Sequence, residues 1–167
     1  MPLNIEIKAR SNNHEKIKTI LKEKNASFKG IDHQIDTYFK VSNGRMKLRE
    51  GNIENNLIFY QRSDQAGPKR SDVALYKSTP DSELKNVLSL ALGVFKVVDK
   101  QRGIYYVENV KFHLDEVKGL GTFVEIEAID TDGSLSQEAL LKQCEYYMNL
   151  FEIKETDLIE VSYSDLI

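Results

Sequence analysis

Along many short stretches of this chain, hydrophobic and polar residues alternate, and the period of two predicts strands with two unlike faces. In NIEIKAR (4–10), Ile5, Ile7 and Ala9 share one face, and Asn4, Glu6, Lys8 and Arg10 share the other. QIDTYF (34–39) sets Gln34, Asp36 and Tyr38 against Ile35, Thr37 and Phe39. RMKLRE (45–50) sets Arg45, Lys47 and Arg49 against Met46 and Leu48. In LIFYQR (57–62), Arg62 falls on the face of Ile58 and Tyr60, and in VVDKQRGIYYV (97–107) Lys100 and Arg102 share a face. VKFHLDEV (110–117) opposes Lys111, His113 and Asp115 to Phe112 and Leu114. GTFVEIEA (121–128) opposes Glu125 and Glu127 to Val124, Ile126 and Ala128.

Three stretches follow a helical period instead. NNHEKIKTILKEKNA (12–26) opens on asparagines that suit an N-cap and spaces Ile17, Ile20 and Leu21 along one side. PDSELKNVLSLALG (80–93) places Leu84, Val87, Leu88 and Ala91 together and stops at Gly93. SLSQEALLKQCEYYMNLF (134–151) spaces Leu140, Cys144, Tyr147 and Phe151 for packing. SDQAGPKRSD (63–72) reads as one loop, broken by Gly67 and Pro68, and Gly119 and Gly121 mark a hairpin turn. The order of elements predicts an α+β domain on a largely antiparallel sheet.

Composition narrows this further. The chain of 167 residues suits one domain with a sizeable core. Its 41% hydrophobic and 29% charged residues are ordinary for a globular protein. It holds no apolar run long enough to span a membrane, and its start lacks a signal-peptide pattern. Cys144 is the one cysteine, which excludes an internal disulfide or a cysteine metal cluster and suits a reducing cytoplasm. A net charge of −3 argues against broad nucleic-acid binding.

The charged faces therefore carry the question. A flat sheet could show one such face to water. Repetition in most strands favours a sheet that closes, with the ionic faces lining its interior. Such a lining needs compensation, because an unpaired charge away from water is expensive. A polyanion and its metal would supply it. Arg and Lys grip phosphate oxygens, and carboxylates hold Mg²⁺ or Mn²⁺ that bridges to them. Glu125 and Glu127 are like charges on one face, an arrangement that asks for a cation. Asp36 and Tyr38 read as structural, and His113 reads as a satisfied surface histidine in preference to a pH-sensitive lining residue. No Walker-type phosphate loop is present.

In order along the chain, NIEIKAR, QIDTYF, GRMKLRE, FYQRSDQAGPKRSD and HLDEVKGLGTFVEIEA resemble the CYTH superfamily, the triphosphate tunnel enzymes. The likeness runs over nearly all of residues 1–167 as one CYTH-like domain and is greatest to the class IV adenylyl cyclase branch. The resemblance implies a closed antiparallel β-barrel of about eight strands with helices packed outside. It implies a Mg²⁺ or Mn²⁺ cofactor held by Glu6, Glu125 and Glu127, with Asp115 near the metal or the reacting water. It implies that Lys8, Lys47, Arg49, Arg62, Lys100 and Arg102, and more weakly Lys69, bind the triphosphate. The expected reaction is conversion of ATP to cyclic AMP and pyrophosphate. The alternatives are hydrolysis of inorganic triphosphate, thiamine triphosphate or a nucleoside triphosphate, and binding without catalysis. A homodimer also fits the resemblance. Asn4 departs from the pattern, standing where the family's opening motif carries its first carboxylate.

Overall fold

A computed structural model describes residues 3–62 and 65–167, the side chain of Arg62 excepted. The strands are β1 (Leu3–Arg10), β2 (Ser27–Phe39), β3 (Arg45–Glu50), β4 (Asn55–Arg62), β5 (Lys69–Lys77), β6 (Val94–Val107), β7 (Val110–Val117) and β8 (Gly121–Asp130). The helices are α1 (His14–Glu23), α2 (Leu84–Leu92), α3 (Gln137–Leu150) and the short α4 (Tyr163–Leu166). The strands close in the order β1-β5-β4-β3-β2-β6-β7-β8, and each neighbouring pair is antiparallel. The expected closed barrel with outer helices is what forms.

The alternation sets this barrel inside out. On β1, β7 and β8 the apolar faces turn outward: Ile5, Ile7, Ala9, Phe112, Val124, Ile126 and Ala128 are each at most 3% exposed. Against them lie Ile17 and Leu21 of α1 and Leu140, Cys144 and Tyr147 of α3, completed by Phe151. This core sits between sheet and helices, so β1, β7 and β8 turn their polar faces to the barrel interior, while β4 and β5 bring Ile58, Tyr60, Val73 and Leu75 to it. Ser136 begins α3 by accepting a hydrogen bond from Ala139 N at 3.1 Å. Asn13 takes the cap position of α1 without a side-chain cap. Gly119 and Gly121, with φ of 82° and 104°, make the turn between β7 and β8 as expected.

Two sequence expectations change. Residues 69–72 are not loop but the start of β5, where Lys69 to Ser71 pair with β1 and Ser71 and Asp72 with β4. Sheet closure there overrides the turn signal of Gly67 and Pro68. Residues 63 and 64 of the same stretch lie outside the described residues. Helix α2 forms where its period predicts, but it buries none of its residues, and Val87 is 57% exposed.

Candidate functional site

Inside the barrel is a cavity of about 140 Å³. Its wall takes every second residue of the strands: Asn4, Glu6 and Lys8 from β1, Lys47 and Arg49 from β3, and Arg102 from β6. Lys111 and His113 of β7 and Glu125 and Glu127 of β8 complete the ionic part. The wall is not a random mixture of charge. It falls into two ion clusters, a Lys111–Glu54 pair and one acidic corner.

Asp36 is the centre of the first cluster. It receives Arg49 Nε at 2.9 Å and Nη2 at 2.8 Å, Lys100 Nζ at 2.6 Å and Lys47 Nζ at 3.3 Å. Burial opposes its charge, yet Arg49, Lys100 and Lys47 together hold the carboxyl well below its ordinary value. Burial also pushes the Lys100 ammonium well down, against the pull of Asp36. Asp36 was legible as structural, and its structural work is to hold three bases in place.

The second cluster surrounds Arg102. Its Nε and Nη2 each lie 2.7 Å from an oxygen of Asp115, and Nη2 reaches Glu125 Oε1 at 3.3 Å. Tyr163 donates to Asp115 Oδ2 at 2.7 Å. Glu125 is also 3.0 Å from His113 Nδ1 and 3.7 Å from Lys8 Nζ. Burial works against the Glu125 charge, but Arg102 and then Lys8 keep it well below the usual range. His113 is only 4% exposed, so it is a lining residue and not the surface histidine that the sequence suggests. Burial, followed by Arg102, lowers its pKa to about 4.

The acidic corner is different. Glu6 and Glu127 are cross-strand partners on β1 and β8. Asn4 Nδ2 donates to Glu127 Oε1 at 3.1 Å, while Asn4 Oδ1 is buried with no hydrogen-bond partner among the described residues. Burial and the neighbouring Glu6 push Glu127 up to about 7. An orphaned amide oxygen beside two carboxylates is a hard oxygen donor set with too little positive charge around it, and it fits a divalent cation. Among the described residues no three His, Cys, Asp or Glu side chains gather as a ready cage. The set is open, as suits a cation that takes further oxygens from a phosphate.

Glu54 and Tyr163 enter the site without a strand signal. Asp32 accepts from the backbone N–H groups of Ile53 at 2.9 Å and Glu54 at 3.0 Å, fixing the β3–β4 loop. Gly51 is needed there, because a Cβ would stand 2.6 Å from Asp32 Oδ1. Glu54 then reaches inward, where Lys111 Nζ donates to it at 2.7 Å. Burial opposes its charge, but Lys111 lowers its pKa to about 2. Tyr163 arrives on α4, its ring 3.8 Å from Lys8 Nζ and packed on Phe123. The segment before it is tied down by Ile159 N donating to Lys8 O at 2.9 Å and by the Tyr60–Ser162 hydroxyl pair at 2.6 Å.

Of the residues proposed from sequence, Glu6, Lys8, Lys47, Arg49, Arg102, Glu125 and Glu127 therefore meet around one cavity. Lys100 and Asp115 lie behind that wall, 1% and 0% exposed, and bind its members. Lys69 is not in the wall; its Nζ donates to the carbonyls of Gln65 at 3.1 Å and Glu160 at 2.8 Å. The side chain of Arg62 is outside the described residues. Glu54, Lys111, His113 and Tyr163 also line it and were not proposed as site residues, and Ile58, Tyr60, Val73 and Leu75 of β4 and β5 give it an apolar side. For Lys111 and His113 the face was visible in the period of two, whereas Glu54 and Tyr163 left no periodic signal.

The barrel thus encloses a wall of paired bases with one open acidic corner. The chain belongs to the CYTH domain family, whose model matches residues 2–163. Members of this family are in general enzymes acting on triphosphates with divalent metals. The chain is 23% identical to a Methanocaldococcus jannaschii protein named "putative adenylate cyclase", over 98% of each sequence. Its structure is similar to that of a Pyrococcus horikoshii protein, with 28% identity, a TM-score of 0.81, and 98% of this chain and 99% of that one covered. It is also similar in fold to a Hippeastrum "putative adenylyl cyclase" described as having a dominant triphosphatase activity, with 15% identity, a TM-score of 0.64, and 97% and 91% covered. No helix among the described residues is long and apolar enough to cross a membrane.

Proposed function

We propose that this chain is a divalent-metal-dependent enzyme that grips a small-molecule triphosphate in its tunnel and acts on ATP as an adenylyl cyclase-like lyase. The observation that carries the reading is the division of one closed wall into fixed bases and an open acidic corner. Lys8, Lys47, Arg49, Arg102 and Lys111 present donors to phosphate oxygens. Asp36, Asp115, Glu125 and, for Lys111, Glu54 hold those bases, so little reorganisation is needed when charge develops at the phosphorus. Asn4, Glu6 and Glu127 would hold Mg²⁺ or Mn²⁺, which would supply charge neutralisation on the phosphate oxygens. Lys69 and Arg62 have no assigned contact in this reading, and Lys100 and Asp115 act through their neighbours.

In the cyclase reaction the ribose 3′-hydroxyl attacks the α-phosphorus in line, the bond to the β-phosphate oxygen breaks, and pyrophosphate leaves. The chain's part is to hold the phosphates straight and to keep bulk water out. The name of the Methanocaldococcus relative supports this reading. A second reading, triphosphatase, is favoured by the size of the cavity. About 140 Å³ is small beside the ~300–1,000 Å³ of ordinary ligand pockets, so it encloses the phosphates alone, and a nucleotide would keep its nucleoside at the open mouth. The activity described for the Hippeastrum protein points the same way. Incubation with ATP or with inorganic triphosphate, each with Mg²⁺ or Mn²⁺, separates them by product. Cyclic AMP with pyrophosphate supports the lyase, orthophosphate supports the hydrolase, and no product from either substrate sinks both.

A further inference from the structure

The cavity has two unlike ends. At one, the segment leading into α4 lies against the barrel. Ile159 N donates to Lys8 O at 2.9 Å, Lys69 Nζ donates to Glu160 O at 2.8 Å, and Tyr163 packs on Phe123. The other end is open on one side. β5 pairs with β1 only from Lys69 to Ser71, and beyond Ser71 its register continues with β4 alone. Beside that gap Leu75 lines the cavity and is still 55% exposed, which places it at the mouth. One flank of this mouth is apolar. The register puts Lys47 beside Ile58 and Ile58 beside Leu75, and all three line the cavity. Val73, on the same face of β5, lines it too. Ile58 and Val73 have a structural explanation, because they pack with Tyr38, Tyr60 and Tyr163 in a buried cluster. Leu75 belongs to neither buried cluster.

An apolar strip has a narrow choice of partners inside an ionic cavity. Inorganic triphosphate is ionic throughout and gains nothing from it, and neither does a hydrated cation. What fits is a carbon-rich group joined covalently to the phosphates. Two strand spacings, ~10 Å, separate the Lys47 and Leu75 positions, so a phosphate on the lysine and an organic group on the leucine suit one molecule of nucleotide size. We propose that Ile58, Val73 and Leu75 form the subsite for the organic end of the substrate, and that the substrate is an organic triphosphate whose terminal phosphate points toward Tyr163. The assignment rests on the triphosphate reading of the cavity. It applies to lyase and hydrolase chemistry alike, and it makes Leu75 a residue that sets specificity.

The test compares Leu75→Ala with Leu75→Met, which keeps an apolar side chain of similar size. Calorimetry titrates wild type and both variants with ATP and with inorganic triphosphate, each with magnesium. Truncating a side chain that packs on the bound group is expected to weaken ATP about tenfold in Leu75→Ala, while inorganic triphosphate stays within about twofold. Leu75→Met is expected to hold ATP within about threefold of wild type. Since Leu75 is half-exposed, both variants are expected to melt near the wild-type temperature. Unchanged ATP binding in Leu75→Ala, or equal weakening of both ligands, overturns the subsite but leaves the functional reading intact. So does a loss of ATP binding as large in Leu75→Met as in Leu75→Ala, because apolar contact is then not what the site reads. A wild-type protein that binds neither ligand overturns both. Should a Leu75 variant fail to fold, Val73→Ala takes its place. A loss confined to ATP supports the subsite, and a loss shared by both ligands, or none, refutes it.

Discussion

Asp36 and Glu127 are carboxylates inside the same barrel, and their surroundings push them in opposite directions. Asp36 meets three bases within 3.3 Å and is held well below its ordinary pKa. Glu127 faces Glu6 and an asparagine, and it rises to about 7. Burial opposes charge at both, so the difference lies in the neighbours. The lesson is that a charged interior can be complete in one region and unfinished in another. The complete region serves the fold and shapes the grip, while the unfinished region has capacity left for a cation.

The sharpest way to break the contrast is Asp36→Ala. It strands Arg49, Lys100 and Lys47 against one another, and loss of one partner from a buried ionic cluster costs about 3–5 kcal/mol in urea unfolding. Little loss would mean that Asp36 does not hold the bases. Lys47→Ala comes next, because Asp36 keeps two other bases without it. Charge-assisted hydrogen bonds are worth about 1.5–3 kcal/mol, so calorimetry is expected to show inorganic triphosphate bound at least tenfold more weakly, with the melting temperature nearly unchanged.

Glu127→Gln sharpens the other side. An unfolded glutamate releases its proton near 4.5, whereas folded Glu127 holds it to about 7. The folded state binds more protons across that window, so this residue makes stability fall as pH rises through it. The variant is expected to lose less stability than wild type between pH 5 and pH 8, by on the order of 1 kcal/mol, and to lose its stabilisation by Mg²⁺. Glu54→Gln gives the smallest effect and the opposite sign. Folded Glu54 titrates at about 2, below its ordinary 4.5, so its stabilisation is present above 4.5 and disappears as pH falls toward 2. Acid titration of unfolding is expected to be shallower in the variant, with a difference of about 1 kcal/mol or less at neutral pH.

Much of the barrel was legible because a strand shows both its faces in the sequence. Glu6 and Lys8 could be placed beside Glu127 and Glu125 as one wall from alternation alone, once closure was assumed. The division of labour within the wall was not legible. Nothing in the spacing of Arg102 and Asp115 says that both Asp115 oxygens are occupied, since that depends on the cross-strand register of β6 and β7. Glu54 stands on a loop whose inward turn depends on Asp32, a residue 22 positions earlier. Tyr163 depends on a helix of only four residues, too short to carry a period. Helix α2 shows the reverse case, a clear apolar stripe to which the described fold offers no burial.

The near balance of the cavity wall has a thermodynamic corollary. Among the described lining residues, five bases stand against four carboxylates, so the wall is almost self-neutral. An anion arriving alone must compete with the acids for the bases, and a cation arriving alone finds only the few oxygens of the acidic corner. Each guest therefore prepares the tunnel for the other. By reciprocity, the factor by which magnesium strengthens triphosphate binding equals the factor by which triphosphate strengthens magnesium binding. Titrations run in both orders should close that cycle.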